Sequence, residues 1–181
     1  SCSNKPINII NGKRFKQEFY QENENSSVKK PQDFNDTFFG NIDDSFRIGI
    51  SITKRSLKLY SEFYSSDIII ASPLGLRLII GSEGEKDRDF DFLNSIEILL
   101  LDQADIFLFQ NWEHVIDIFK HLHIQPTSFH GVDFSRVRLW ALEGQYKYYR
   151  QTIFLSSINS LHIQSLFFKE SNNFDGRVII H

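Results

Sequence analysis

Short apolar runs alternate, in the last three quarters of the chain, with segments in which apolar residues recur every three or four positions. The runs at 67–72 and 96–101 consist mainly of aliphatic residues, and the run at 151–157 contains Ile153, Phe154 and Leu155 between polar residues. Runs of this length are typical of strands buried on both faces of a parallel sheet. We predict a strand in each run, and two further short strands at 47–52 and 177–180, where β-branched residues are enriched.

Helices are predicted between these runs. The clearest one carries Trp112, Val115, Ile116, Phe119 and Leu122 on one face, an apolar stripe at helical spacing. The other predicted helices span 53–64, 74–80, 158–169 and part of 134–149. Strands that alternate with helices predict an α/β fold, in which helices cover both faces of a parallel sheet. In such sheets, functional residues follow the C-terminal ends of the strands.

The polar stretch 21–45 is a loop by composition. We therefore expect residues 1–45 to form a polar, partly flexible segment that leads into a domain at 46–170. Residues 171–181 are predicted to be a linker or the start of a following segment. Residues 83–91 are highly charged and predict a solvated loop.

The composition of the chain excludes several kinds of binding site and several classes of protein. The net charge of −3 gives no general electrostatic attraction for nucleic acid, so an RNA contact would require a local basic patch. A single cysteine, Cys2, excludes a disulfide or a cysteine-based zinc site within the chain. No apolar run reaches the length of a membrane span, and the first residues do not have the pattern of a signal peptide. Because the sequence contains no Met, we expect a fragment of a longer protein.

Three segments of the chain occur in the same order as three known sequence motifs. They are 71–77 (ASPLGLR), 98–105 (ILLLDQAD) and 150–157 (RQTIFLSS). Together they resemble the ATPGR, VLDEAD and QTLLFSAT segments of DEAD-box helicases. The resemblance implies a partial RecA-like, P-loop NTPase-type parallel sheet, with residues 46–170 forming the back half of the first helicase-like domain.

The residues at the strand ends differ from an active helicase. Asp102 could hold a hydrated Mg²⁺, but the acid that positions the attacking water in the resembled family is Gln103 here. An amide cannot accept a proton from that water at neutral pH. The phosphate-binding motif G-x-x-x-x-G-K-[ST] occurs nowhere in these residues. We therefore predict no catalytic residue, no metal and no cofactor, with ATP and Mg²⁺ relevant only if the chain is active.

The strand-end residues are accordingly interpreted as a vestigial nucleotide site. Its members are Asp102, Gln103, Ala104, Asp105, Ser156 and Ser157. Asp105 is expected to link the end of its strand to Ser156 or Ser157. The alternative is a live Mg²⁺–ATP site.

Two groups of residues are RNA-binding candidates. Ser72, Pro73, Gly75 and Arg77 lie where a helix begins, and the amides of a helix N-terminus and a nearby Arg can bind phosphate. Arg136 and Arg138 open a second, basic and aromatic cluster, which continues through Trp140, Tyr146, Lys147, Tyr148, Tyr149 and Arg150. Such a cluster can stack bases, bind a protein, or form a solvated helix with its aromatic residues in the core.

Other distinctive side chains have simpler interpretations. We expect Trp112 in the core. His114, His121 and His123 are interpreted as surface or boundary residues of one helix, and their spacing does not favour a metal site.

A narrower resemblance rests on further segments. They are 63–69 (FYSSDII), 84–89 (GEKDRD), 101–105 (LDQAD), 110–115 (QNWEHV), 133–138 (DFSRVR) and 149–152 (YRQT). Over about residues 44–158 the chain resembles the digestive-organ-expansion-factor family, also called U3 small nucleolar RNA-associated protein 25. Gln103 and the additional Leu74 fit this degenerate family better than they fit active helicases.

The resemblance implies a non-catalytic scaffold of the nucleolar small-subunit processome. Such a protein would act in pre-rRNA processing and 40S ribosome biogenesis in the nucleus and nucleolus. Its partners would be pre-ribosomal proteins, with pre-rRNA or the U3 small nucleolar ribonucleoprotein as further candidates, and no membrane. Two alternatives remain: an active ATP-dependent DEAD-box-type RNA helicase seen as a fragment, and a plain RNA-binding module.

Overall fold

The computed structural model describes residues 7–20, 31–32, 43–126, 128, 130–131, 133, 135 and 137–180. The chain divides into two compact units, Ser1–Gly75 and Leu76–His181. Most of the predicted loop at 21–45 lies outside the described residues. The predicted domain boundaries after residues 45 and 170 stay predictions.

The first unit contains a mixed four-stranded sheet with the order β1-β3-β2-β4. Its strands are β1 (Asn8–Ile10), β2 (Arg47–Ile52), β3 (Ser56–Leu59) and β4 (Ile68–Ala71). Strand β1 is parallel to β3, whereas β2 is antiparallel to both β3 and β4. The strands predicted at 47–52 and 67–72 are confirmed, but the expectation of a purely parallel sheet is wrong here.

Strand β3 also occupies the middle of the segment 53–64, where the prediction of a helix is wrong. A tight turn causes the difference, because the hydroxyl of Thr53 accepts a hydrogen bond from the backbone amide of Ser56 at 3.0 Å. The amide of Thr53 in turn donates to the carbonyl of Ser56 at 2.9 Å. Side chains of this type compete with helical backbone hydrogen bonds. A 3₁₀ turn, Phe63–Ser65, follows β3.

Two parallel strands of the second unit lead to the predicted strand ends. Strand β5 (Ile98–Leu101) pairs in parallel with β6 (Gln151–Phe154), and Leu101 lies opposite Phe154. Both strands and their parallel pairing were predicted. On their inner face, the ring of Phe154 lies between Phe119 and Phe167, with ring centroids 5.9 and 5.6 Å apart.

Side-chain capping signals set the starts of some of the helices. The helices are α1 (Gly12–Phe19), α2 (Pro73–Ile80), α3 (Ala104–Phe109), α4 (Trp112–His121), α5 (Leu139–Leu142), α6 (Tyr146–Tyr149) and α7 (Leu161–Glu170). The side chain of Asn111 accepts from the amide of Glu113 and starts α4. Ser160 caps α7 through the amide of Ile163, so this helix begins three residues later than predicted.

The core of the second unit contains Ile80, Leu93 and Leu122, which are almost fully buried. The outer faces of the strands are different, because 64% of Ile98 and 54% of Leu100 are exposed. The prediction that these apolar runs are buried on both faces is therefore wrong for this structure. Residues 177–180 form no strand either; they are exposed and without regular secondary structure.

The predicted positions of Trp112 and His121 also need correction. Trp112 is half-buried and does not lie fully in the core. His121 is buried, and its Nε2 lies 2.8 Å from a guanidinium nitrogen of Arg88. Because Nδ1 lies 2.7 Å from the carbonyl oxygen of Asp117, this histidine connects α4 to the loop at 81–90.

Candidate functional site

The strand-end site consists of Asp102, Gln103, Ala104, Asp105, Ser156 and Ser157. Backbone hydrogen bonds hold its two halves together: the amide of Leu155 donates to the carbonyl of Leu101 at 2.9 Å. The amide of Ala104 returns a bond to the carbonyl of Leu155 at 2.8 Å. The parallel pairing therefore brings all six predicted residues to one edge.

Asp105 is bound by its neighbours across this edge. Its Oδ1 accepts from the amide of Ser157 at 3.4 Å, and the hydroxyl of Ser156 lies 3.5 Å away. Its Oδ2 accepts from the hydroxyl of Ser157. These bonds, above all the one from the Ser157 hydroxyl, lower the pKa of Asp105. The predicted link between Asp105 and the two serines is present.

The turn between β5 and α3 determines which of the remaining side chains are exposed to solvent. Gln103 has a φ of 53°, a left-handed conformation that is uncommon for a residue with a side chain. Ala104, which follows it, is completely buried. Asp102 and Gln103 are both exposed, so the edge presents one carboxylate and one amide to solvent.

The two carboxylates of this set differ in what they leave for a hydrated Mg²⁺, which prefers carboxylate ligands. Asp102 is exposed, whereas the carboxylate of Asp105 already accepts hydrogen bonds on both oxygens. Gln103 carries no negative charge and no basic group. The arrangement can hold two strands in register, and no step through a nucleotide follows from it.

The start of α2 contains the first group of RNA-binding candidates. The hydroxyl of Ser72 accepts from the amide of Gly75 at 2.9 Å and donates to the carbonyl of Asp44. A Cβ on Gly75 would lie 2.5 Å from the carbonyl oxygen of Phe46, so a larger residue would not fit. Ser72 thus caps the helix that Pro73 begins, and one amide expected to bind phosphate is occupied.

Arg77 is held within the second unit. Its Nε lies 2.7 Å from Oδ2 of Asp117, and one terminal nitrogen donates to the carbonyl of Gly81 at 2.6 Å. An RNA contact by Arg77 stays a prediction, and it would compete with these two bonds.

The second group of RNA-binding candidates contains both exposed and buried residues. Arg136 lies outside the described residues. Arg138 is exposed, and its guanidinium carbon is 5.9 Å from the ring centroid of Trp140. Arg150, by contrast, is only 4% exposed. It donates to the Thr152 hydroxyl at 3.1 Å and to the carbonyl of Glu170 at 3.3 Å.

Arg150 is therefore a buried structural residue, which corrects its interpretation as part of a base-stacking cluster. Burial lowers its pKa to about 10. The guanidinium remains charged at neutral pH.

Sequence reasoning missed a cleft beside this cluster. The aromatic cleft, of about 450 Å³, is lined by Tyr148, Phe168, Ser171, Asn172, Asn173, Gly176 and Arg177. The amide of Phe174 donates to the carbonyl of Tyr148 at 2.9 Å, and the side chain of Asn173 donates to the carbonyl of Arg150 at 3.1 Å. The aromatic runs at 146–149 and 167–168 were the available signal, but their partners in 171–177 are distant in sequence.

Membrane spans and metal clusters are both absent from the described part of the chain. None of its helices is long and apolar enough to cross a membrane. Within the same residues, no group of three His, Cys, Asp or Glu side chains could hold a metal ion.

Comparison with known proteins identifies relatives along nearly the whole chain. U3 small nucleolar RNA-associated protein 25 homolog from Xenopus tropicalis is 58% identical over 176 residues, 96% of this chain and 23% of the relative. The human homolog is 53% identical over 180 residues, 98% of this chain and 24% of the relative. The protein from Schizosaccharomyces japonicus is 52% identical over 173 residues, 96% of this chain and 27% of the relative.

The chain thus spans about a quarter of the length of the curated relatives it matches. No solved structure matches it. The family model described as UTP25, NTP hydrolase-like domain, matches residues 1–178. The family resemblance seen in the sequence is thereby confirmed, and the chain belongs to the U3 small nucleolar RNA-associated protein 25 family, in the part described as its NTP hydrolase-like domain.

Proposed function

We propose that the chain is a non-catalytic, helicase-like interaction component of the nucleolar small-subunit processome. In this role it acts in pre-rRNA processing and 40S ribosome biogenesis. Its partners are pre-ribosomal proteins, with the U3 ribonucleoprotein and pre-rRNA as further contacts. The names of its relatives, which refer to association with the U3 small nucleolar RNA, support this assignment.

The observation that carries the non-catalytic part of the proposal is Gln103, an exposed amide in the position where an acid would be needed. Beside it, the carboxylate of Asp105 holds the ends of β5 and β6 together through Ser157. These residues support a strand-end site that stabilises the domain instead of hydrolysing a nucleotide.

The finer fold assignment belongs to the same proposal. We propose that β5, β6 and the helices around them form the back half of a RecA-like domain. The parallel pairing of β5 with β6 supports this arrangement, since a polar turn follows the C-terminal end of each strand. The antiparallel pairing of β2 with β3 and β4 departs from a uniformly parallel sheet.

The decisive experiment measures nucleotide binding and turnover by the full-length protein. Titration with a fluorescent ATP analogue and Mg²⁺ should give no saturable binding in the micromolar range. Phosphate release should stay at the background rate with and without RNA. Sedimentation through a gradient should place the protein in processome-sized particles whether or not ATP has been depleted.

Asp102→Ala provides the matched control, because this side chain is exposed and its loss should not disturb the fold. We expect the variant and the natural protein to be indistinguishable in all three measurements. Micromolar ATP affinity that disappears in Asp102→Ala would instead establish the alternative, an ATP-dependent RNA helicase.

A further inference from the structure

Three aromatic rings next to the aromatic cleft form a row of contacting rings, the stack, that ends in solvent. The rings of Trp140 and Tyr149 are stacked face to face, with centroids 4.6 Å apart and an angle of 15°. The ring of Phe174 follows at 5.5 Å from Tyr149 and is tilted by 55°. Because Phe174 is 72% exposed, the outer end of the stack is open to a further planar group.

The cleft itself contains a polar group that is not satisfied. Ser171 is 6% exposed, and its hydroxyl has no hydrogen-bond partner among the described residues. A buried hydroxyl without a partner costs free energy. Together with the exposed ring of Tyr148 on the same cleft, this hydroxyl favours a ligand that combines a flat apolar face with polar edges.

Cations lie beside the rings. The Nζ of Lys147 is 4.9 Å from the ring centroid of Tyr148, and the guanidinium carbon of Arg177 is 5.8 Å from that of Phe168. Arg138 lies over the ring of Trp140. Among the described residues that line the cleft, Arg177 is the only charged one. The ligand should therefore be an anion.

We propose that the aromatic cleft and the stack of Trp140, Tyr149 and Phe174 bind single-stranded RNA through its unpaired bases. Aromatic rings flanked by basic side chains are the usual means of binding single strands, since every base has a face that can stack. Bases within a duplex are already stacked and cannot enter such a cleft. The proposal deepens the proposed function and rests on it, because a processome component meets pre-rRNA.

The test uses the full-length protein and a fluorescein-labelled, unstructured oligouridine of about 12 nucleotides. Fluorescence anisotropy should show binding to this RNA and much weaker binding to an RNA duplex of equal length. Phe174→Ala and Tyr148→Ala should each weaken binding about 5-fold to 100-fold, the range expected for one stacked base. With three cations involved, log affinity should fall with log salt at a slope of about −2.

Phe109→Ala is the matched control. This phenylalanine is also highly exposed in the same unit, at 82%, but it lies on α3, which carries none of the residues that form the stack or line the cleft. We expect its RNA affinity to stay within about twofold of the natural protein. As a second readout, ultraviolet crosslinking of a 4-thiouridine oligonucleotide should label peptides that contain Tyr148 or Phe174.

Several outcomes would overturn the proposal. These are unchanged affinity in Phe174→Ala and Tyr148→Ala, equal affinity for the duplex, or the absence of RNA binding by the natural protein. Loss of a defined processome protein from these variants, with RNA affinity intact, would identify a protein-binding surface instead. None of these results bears on ATP hydrolysis, so failure here is distinguishable from failure of the non-catalytic assignment.

Discussion

The strand-end site and the aromatic cleft each contain a serine, but the two hydroxyls differ in their hydrogen bonding. The hydroxyl of Ser157 donates to Asp105, whereas that of Ser171 has no partner in the described part of the chain. In the first site, whose sequence resembles a nucleotide site, the carboxylate of Asp105 is bound by its neighbours, while Asp102 and Gln103 face solvent. The aromatic cleft, which no familiar sequence motif marks, contains a buried hydroxyl without a partner and the exposed ring of Tyr148. Resemblance to a known motif and the surface that we propose as a binding site therefore lie in different parts of the chain.

The local electrostatics of the two regions also differ. At the strand ends, hydrogen bonds stabilise a negative charge and lower the pKa of Asp105. Beside Arg150 and Lys147, burial is the main cause that lowers the pKa of His123 to about 4, and the charges of these two residues act in the same direction. Both ring nitrogens of His123 are buried and have no hydrogen-bond partner among the described residues.

The largest effect should come from Arg150, which is buried immediately before β6. Arg150→Met removes the hydrogen bonds to Thr152 on β6 and to Glu170 at the end of α7. We expect the free energy of unfolding, measured in urea, to fall by about 2 kcal/mol. Lys147→Met, in the same segment but less buried, should change it by less than about 0.5 kcal/mol. Equal effects of the two substitutions would show that the buried hydrogen bonds of Arg150 do not stabilise the domain.

Asp105→Asn tests whether the hydrogen bonds of Asp105 stabilise the strand-end site. It should lower the free energy of unfolding at pH 7 by about 1 kcal/mol after allowance for solvent screening, because a charge-assisted hydrogen bond is lost. Since the folded-state pKa of Asp105 is lowered, its contribution is present above the ordinary value of 3.8 and disappears as the pH falls below it. Unfolding curves of variant and natural protein should therefore converge in acid. Curves that stay parallel at all pH values would contradict the structural role of the carboxylate.

His123, beside Arg150 and Lys147, provides the corresponding test. Its pKa is about 4 in the folded protein, against an ordinary value of 6.5, so acidification through this window protonates the unfolded chain first and destabilises the fold. After allowance for solvent screening, the loss should be on the order of 1 kcal/mol. His123→Leu should flatten this part of the stability profile. An unchanged slope in the variant across this pH window would place the responsible group elsewhere.

The smallest effect is expected at Ser171. Ser171→Ala removes a buried hydroxyl that has no partner among the described residues, so stability without RNA should not fall and should rise slightly. Ser157→Ala should cost about 1 kcal/mol in the same thermal or urea measurement, because it leaves Asp105 with fewer donors. Equal losses of stability in the two variants would show that the hydroxyls of Ser171 and Ser157 contribute equally, which would contradict the difference between the two sites.

Local signals in the sequence explain which parts of the fold were predictable. The stripe that includes Val115 and Phe119, with Asn111 as its cap, is sufficient to define α4. The apolar runs of β5 and β6 likewise predict both strands and their polar ends, where Asp105 meets Ser157. The conformation at 53–56 depended on the hydroxyl of Thr53, which forms a turn that competes with a helical pattern.

The remaining errors arise from contacts between distant residues. Arg150 has the sequence context of a basic surface residue, and its burial follows only once Glu170 is known to lie beside it. Phe174 joins Tyr149 from a separate segment beyond β6 and α7, so the aromatic cleft could not be derived from spacing. Similarly, the number of faces that β5 buries depends on what packs against it, which an apolar run does not encode.

The exposed outer faces of β5 and β6 have a practical consequence for protein production. Ile98, Leu100 and Ile153 present aliphatic side chains to solvent on two neighbouring strands. Surfaces of this kind drive aggregation when they meet one another at high concentration. Expression of residues 1–181 by themselves should yield insoluble material, and a solubilising fusion should be the better starting point for crystallisation.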